Sequence, residues 1–434
     1  MIENFTGLVI APTDSDYAEA ATSYHVLGSP VLVARASSTA DAAAVVRYAA
    51  SEGLTLSVRS GGHSTFGTNE GGVVLDLSGI SEVDVLDGSR VRVGSGAVWG
   101  RVAEALAPHG LGLSSGDTYT VGVGGLTLGG GVGWLVRQYG LALDSLLEAE
   151  VVLASGDVVI ANGTSEPDLF WAIRGGGGNV GVVTHFTFQA HPLDGVVFGT
   201  ISFDPAGLAD TLTAWREAMR VAPRELNATI ISMPAMGPEM PETAQVVVCY
   251  GGTDRAAADA AIAPLLALPG VSSSEIAEVS YPEVLENMEV PEAPVTIVDH
   301  NTFARSFDRE LVDVLVAAQE GMGAAVLMLR YVAGAFNEVP SEATAFAWRD
   351  AEVFIISAAF LPPDASEEDT TRIHDLWSTL APFTEGMYTN FTIGARPELL
   401  GAMYPPRTLA RLRSLKRRFD PGNLFSQNQN IVPG

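Results

Sequence analysis

The residues best suited to chemistry are a histidine behind paired glycines, Arg59-Ser60-Gly61-Gly62-His63-Ser64, and two further glycine clusters. One is Val121-Gly122-Val123-Gly124-Gly125, running on to Gly129-Gly130-Gly131-Val132-Gly133; the other is Gly175-Gly176-Gly177-Gly178-Asn179-Val180-Gly181. Glycine reaches positive φ and lets neighbouring backbone N–H groups converge on an anion at close range. A pyrophosphate fits such a nest, although one cluster alone would equally serve a turn or close packing. Gly176, Gly178 and Gly181 spell G-x-G-x-x-G, yet Val182 to Phe188 follow as an evident strand. A Rossmann fingerprint needs a helix there, with its N-terminus on the phosphates, so that reading is set aside. A lone histidine is ordinarily a satisfied structural group, and only its glycine setting marks His63 out.

The other candidates are weaker. His185 and His191 fall on one face of a strand without a carboxylate at metal-binding spacing, so they read as structural and no metal site is expected. The single cysteine, Cys249, lies in the apolar run Gln245 to Tyr250, which excludes an internal disulfide and suggests a small buried hydrophobe. A formal charge of -27 repels phosphate backbones and anionic lipid surfaces, so neither nucleic acid nor membrane is expected as a partner. Residues 1–6 lack a basic, apolar leader and no run of 18 apolar residues follows, which points to the cytoplasm.

The elements that position these residues are legible in outline. Val31 to Arg35, a helix over Thr39 to Gly53 capped by Thr39, and Leu54 to Arg59 form a βαβ pattern. Further strands are expected at Val73 to Leu77, Arg90 to Gly94 and Val151 to Ile160, the last broken at Ser155-Gly156-Asp157 as a hairpin turn. After about residue 194 the glycines thin out. Strands at Val197 to Phe203, Ala244 to Tyr250, Ala325 to Val332 and Val353 to Phe360 alternate with helical patterns at Gly207 to Val221, Asp254 to Leu268, Asp308 to Glu320 and Ser366 to Ala381. An antiparallel sheet with helices on one face fits that order. The α+β chain thus divides into residues 1–193, 194–385 and a basic C-terminal stretch, 386–434.

Five segments occur in one order: Arg59-Ser60-Gly61-Gly62-His63, the Val121 to Gly125 run, Tyr139-Gly140-Leu141 with Asp144, Asp168 through Asn179, and Asp420-Pro421-Gly422-Asn423-Leu424-Phe425. Together they resemble the berberine bridge enzyme-like branch of the vanillyl-alcohol oxidase and p-cresol methylhydroxylase flavoproteins, across essentially the whole chain. The resemblance implies an FAD-binding domain of the p-cresol methylhydroxylase type, made in two parts from residues 1–193 and 386–434, with residues 194–385 as the substrate domain. It implies that His63 carries the flavin through its 8α-methyl. It also implies that Arg59, Ser60, Gly61, Gly62, Ser64, Thr118, Val121, Gly122, Gly124, Gly125, Gly129, Gly130, Gly133, Gly181, Val183 and Asn390 contact the cofactor.

Many relatives have a second link from a cysteine where this chain has Thr118, so a single histidyl bond is expected. Val121 matches a position that governs oxygen access in the family, and its size favours an oxidase. The family's Tyr-x-Asn-Tyr segment reads Tyr388-Thr389-Asn390-Phe391 here. Tyr388 is the first candidate for the base, with Tyr139 and Tyr119 behind it; each is also a plausible packing aromatic. The expected activity is hydride transfer from an alcohol, sugar, amine or natural-product substrate to FAD, with O2 reduced to hydrogen peroxide. A dehydrogenase using another acceptor and a flavin-retaining protein without competent catalysis are the alternatives. Oligomeric state is not legible.

Overall fold

Short β-rich runs and an alanine-striped helix build the first layer. The computed structural model describes residues 2–235, 242–286 and 296–434. Strands β1 (Leu8–Ile10), β2 (Leu32–Arg35), β3 (Leu56–Arg59) and β4 (Val73–Asp76) form a sheet in the order β1-β2-β4-β3. The expected βαβ unit is present, with β4 lying parallel between its two strands. Its helix, α1 (Thr39–Glu52), buries Ala42, Ala43, Val45, Val46 and Ala49. The cap falls one residue earlier than expected: Ser38 Oγ accepts the Asp41 N–H at 3.1 Å. Thr39 is instead drawn towards the next sheet, where its hydroxyl meets Glu150 and, at 2.9 Å, Thr184.

That second sheet is antiparallel, in the order β8-β7-β9-β6-β5, from β5 (Val83–Val85), β6 (Arg90–Gly94), β7 (Leu146–Val152), β8 (Val158–Asn162) and β9 (Val182–Gln189). The third glycine cluster runs into β9, a strand and not a helix. The cluster docks the C-terminal segment. Lys416, on the C-terminal helix Pro406–Phe419, is fully buried and donates to the Asp420 carboxylate at 2.7 Å and to the carbonyls of Asn179 and Phe425 at 2.9 and 2.8 Å. All three ammonium protons are thereby satisfied. Asn179 completes the joint, its Nδ2 donating to the Gln429 carbonyl and its Oδ1 accepting the Ile431 N–H.

The third sheet has seven antiparallel strands: β10 (Val196–Phe203), β11 (Leu226–Met233), β12 (Thr243–Gly251), β13 (Val271–Val279), β14 (Thr296–Ala304), β15 (Ala325–Tyr331) and β16 (Val353–Leu361). Their order is β13-β10-β12-β11-β15-β16-β14. Helices α2 (Leu208–Val221), α3 (Arg255–Leu266), α4 (Arg309–Met322) and α5 (Glu367–Ser378) cover one face, where Leu226, Ile230, Leu327, Leu329 and Ile355 meet Leu212, Trp215, Leu311 and Leu315. Alternation puts Asn227, Thr229, Arg330 and Phe354 on the opposite face. That face abuts the glycine loops, because Arg330 pairs with Asp117 and Asn227 Nδ2 reaches the Gly133 carbonyl at 3.5 Å.

β14 carries a buried histidine with a consequence for stability. His300, 9% exposed, stacks on Trp377 at 5.0 Å, and its Nε2 lies 2.8 Å from His374 Nδ1. Burial, then His374 and Arg396, hold its imidazole down at about 3. In the unfolded chain it titrates near 6.5, so the stability contributed by neutral His300 is complete above that pH and is lost as pH falls from 6.5 towards 3. At pH 5 the loss is about 2 kcal/mol. Urea unfolding at pH 7.5 and 5.0 is expected to show this drop in the wild type and a smaller one in His300→Gln; equal drops would assign it to other groups.

Candidate active site

The two glycine loops lie backbone against backbone. A methyl on Gly61 would run into the backbone of Gly122, and a methyl on Gly122 into Gly61 N and the Ser60 side chain, so neither position admits another residue. Ser60 Oγ donates to the Ser95 carbonyl at 2.5 Å and accepts the Gly124 N–H at 3.4 Å, locking the loops together. Gly62 takes φ 76° as the chain turns into His63. The His63 ring is exposed at the cleft surface with Nε2 2.9 Å from Thr120 Oγ1. Desolvation by the surrounding walls, then His25, lowers its imidazole below the ordinary histidine range.

A hairpin, Thr22–Ser23 paired with Val26–Leu27, holds both neighbours of His63. Ser23 Oγ donates to the carbonyls of Gly62 and Ser64 at 3.3 and 2.7 Å, and the Tyr24 N–H donates to Gly62 at 2.9 Å. Tyr24 and His25, at the hairpin tip, have φ of 47° and 62°, a left-handed conformation that costs non-glycine residues energy and is held here by those bonds.

The second approach to the cleft comes from the C-terminal segment. Gly130 and Gly131, at φ 152° and 88°, form a tight turn whose Gly131 N–H donates to the Tyr388 hydroxyl at 2.8 Å. Asn390 Nδ2 donates to the same oxygen at 2.9 Å and to the Leu126 carbonyl at 3.1 Å. Gly129 is glycine because a methyl there would strike the Asn390 side chain. Asn301 on β14 fixes this segment, accepting the Tyr388 N–H at 2.6 Å and donating to the carbonyls of Tyr388 and Phe391 at 3.2 and 2.9 Å. Tyr388 is 2% exposed among Phe346, Phe354 and Phe391, and burial pushes its phenol up to about 12.

Several residues singled out from the sequence are tied up in structural contacts. Arg59 lines a surface cavity beside Ser60, Gly61 and Gly62 and also acts as a strut, donating to the carbonyls of Ala20 and Thr22 at 2.5 and 3.1 Å and to Asp76 at 3.0 Å. Gly133 packs on Ser115 and Gly116, Gly181 packs on Val151 and Val152, and Val183 is buried within β9. Tyr119 donates its hydroxyl to Glu104 at 2.8 Å, and Tyr139 stacks on His191 at 4.1 Å while donating to the Pro192 carbonyl at 2.9 Å. Both phenols are pushed up, Tyr119 chiefly by the Glu104 carboxylate and Tyr139 chiefly by burial. His185 does have carboxylate partners, Glu82 at 2.6 Å and Glu150 at 3.5 Å, supplied by neighbouring chain segments that linear spacing does not reveal. Among the described residues no cluster of three or more metal-ligating side chains forms.

Contacts join Ser60, Gly61, Gly122 and Gly124 across the two loops and His63 to Thr120; Gly62, Ser64, Val121 and Gly125 adjoin them along the chain, Thr118 is buried, and Asn390 stands against Gly129. Gly125 is exposed, and nothing lies within 4 Å of where its methyl would stand. A strip of close backbone with an exposed imidazole at one end suits a flat ring system carrying a pyrophosphate. Thr120, Asp117, Arg330 and Asn301 escaped sequence reading. Thr120 lies one residue before the Val121 run; the others become neighbours only through the β14–β16 sheet.

The FAD binding domain family matches residues 30–162, and the berberine and berberine-like family matches residues 388–432. The chain belongs to the berberine bridge enzyme-like FAD-linked oxidoreductases, a family of FAD-dependent oxidases acting on small molecules. Among its relatives, (R)-6-hydroxynicotine oxidase of Paenarthrobacter nicotinovorans is 33% identical over 98% of this chain and 97% of its own. The crystal structure of 6-hydroxy-D-nicotine oxidase from Arthrobacter nicotinovorans matches with a TM-score of 0.86 at 30% identity, covering 99% of this chain and 98% of that one. Glucooligosaccharide oxidase from Acremonium strictum, whose structure concerns a 6-S-cysteinyl, 8α-N1-histidyl FAD, matches in fold with a TM-score of 0.83 at 22% identity, covering 99% and 97%. No helix among the described residues is long and apolar enough to cross a membrane.

Proposed function

We propose that the chain is an oxidase whose FAD is joined to His63 alone, and that it passes electrons from a small alcohol, sugar, amine or natural-product substrate to O2, giving hydrogen peroxide. The observation that carries this reading is the exposed His63 ring, held at Thr120 beside two interlocked glycine loops. Bound FAD supplies a two-electron acceptor at the cleft. The residues then divide the work. Gly61, Gly62, Gly122, Gly124 and Gly125 let the backbone approach the cofactor, Ser60 keeps the loops in register, and Asn390 reaches the cleft from the C-terminal side. The relative with a doubly linked flavin has a cysteinyl bond; here Thr118 stands where that cysteine is expected, and Cys249 is buried on β12.

A screen of sugars, alcohols, amines and N-heterocycles for peroxide release tests the oxidase reading. Turnover that requires an added dye and releases no peroxide would make the chain a dehydrogenase instead. Val121 is half-buried beside the attachment loop, and its carbonyl accepts the Trp99 N–H at 3.0 Å. Val121→Leu is expected to slow reoxidation of reduced flavin by O2 severalfold in stopped flow while anaerobic flavin reduction is unchanged. Slowed reduction with normal reoxidation would place Val121 on the substrate side.

A further inference from the structure

Resting on the histidyl attachment proposed above, we infer that Thr120 is the positioning residue for that bond: its hydroxyl holds His63 Nε2 and so presents Nδ1 to the flavin. Three observations converge. His63 Nε2 lies 2.9 Å from Thr120 Oγ1, which leaves Nδ1 as the ring nitrogen with no hydrogen-bond partner among the described residues. The Thr120 backbone cannot retreat, because its carbonyl stands 2.8 Å from where a Gly61 methyl would be and the next residue but one, Gly122, is pressed against Gly61. The His63 backbone is fixed from the other side, where Ser23 Oγ bonds the carbonyls of residues 62 and 64. With the flanking backbone fixed and Nε2 engaged by Thr120, Nδ1 is the ring nitrogen left free to bond.

The chemistry explains why a hydroxyl is needed. Attachment exchanges one N–H of His63 and one C–H of the flavin's 8α-methyl for a single N–C bond; the two protons and two electrons released reduce O2 to hydrogen peroxide. Before the bond forms, Nδ1 must offer its lone pair, so the ring proton sits on Nε2 and is donated to Thr120 Oγ1. Afterwards Nε2 has lost that proton and carries a lone pair, which accepts from the Thr120 O–H. A hydroxyl is both donor and acceptor, so Thr120 serves the ring in both states by rotating its own proton. A neutral carbonyl, a lysine or an arginine could serve one state only.

The test follows covalent incorporation in the full chain, produced under riboflavin starvation and then mixed with FAD in aerated buffer. Acid-precipitated protein is run on a gel for flavin fluorescence, and the flavin peptide is mapped to establish which ring nitrogen is substituted. Thr120→Val keeps the side-chain shape without the hydroxyl and is expected to slow attachment roughly tenfold, with FAD retention on gel filtration before linkage and the melting temperature unchanged. Thr120→Ser restores the hydroxyl and the rate. Wild-type attachment in Thr120→Val, or linkage of the wild-type protein through Nε2, would overturn the inference while leaving histidyl attachment intact. A wild-type protein with no acid-stable flavin would overturn the attachment itself.

Discussion

His63→Ala is expected to abolish the acid-stable flavin band entirely, and the variant is expected to bind FAD reversibly. The other cradle residues do not depend on the imidazole: Gly61 and Gly122 remain in contact and Ser60 still bridges the loops. Replacing an exposed side chain removes no core packing, so the melting temperature of the apoprotein should be unchanged. Flavin reduction should slow by about tenfold for each 1.4 kcal/mol of transition-state stabilisation that the link supplies through orientation and electron withdrawal. Attachment should also persist below pH 6.5 in the wild type. Desolvation and His25 lower the His63 imidazole, so its unprotonated, nucleophilic form survives to lower pH than in a free histidine. A His63→Ala protein that kept its fluorescent band would move the link elsewhere. Among side chains with the needed nucleophilicity, Cys249 offers no alternative, because it is buried on β12 with its thiol pushed far up by desolvation.

How much was legible in the sequence follows from the physics of each signal. The glycine loops were readable because a position in contact with another backbone admits only glycine, as Gly61 and Gly122 demonstrate. The strand after Gly181 was readable because Val182 to Phe188 is a short run rich in β-branched and aromatic residues, bounded by glycine, which favours a strand over a helix. Three strands of the seven-stranded sheet were not. β11 buries Asn227 and Thr229, and β14 buries Asp299, His300, Asn301 and Thr302, so their polarity hides a buried strand. β13, Val-Ser-Ser-Ser-Glu-Ile-Ala-Glu-Val, is a largely exposed edge strand with little apolar signal. One of those polar strands matters for the site: Asn301 on β14 fixes the Tyr388 to Phe391 segment. Arg330 lies on β15, a strand the pattern did show, but its pairing with Asp117 more than two hundred residues away is a juxtaposition that only the fold creates.

Tyr388→Phe is expected to act on stability and cleft shape, not on proton transfer. A base must be unprotonated at working pH, yet burial pushes this phenol up to about 12, and the N–H groups of Gly131 and Asn390 that lower it do not overcome that cost. The hydroxyl instead anchors the Gly130-Gly131 turn to the C-terminal segment. Its loss leaves the Gly131 N–H buried without an acceptor, a cost of about 1–3 kcal/mol, and frees Asn390 at the cleft. The melting temperature should fall accordingly. Anaerobic flavin reduction should fall modestly, with its pH profile unchanged in shape. A general base would behave differently: its removal costs roughly 10² to 10⁴ in the reduction step and deletes a limb of the pH profile. Such a loss, at an unchanged melting temperature, would restore Tyr388 as the base. Should Tyr388 prove an anchor, Tyr119→Phe and Tyr139→Phe are the next variants to measure, their hydroxyls donating to Glu104 and to the Pro192 carbonyl. If Tyr388→Phe keeps the acid limb of the wild-type pH profile, that limb should report another group, a carboxylate or imidazole, as the base.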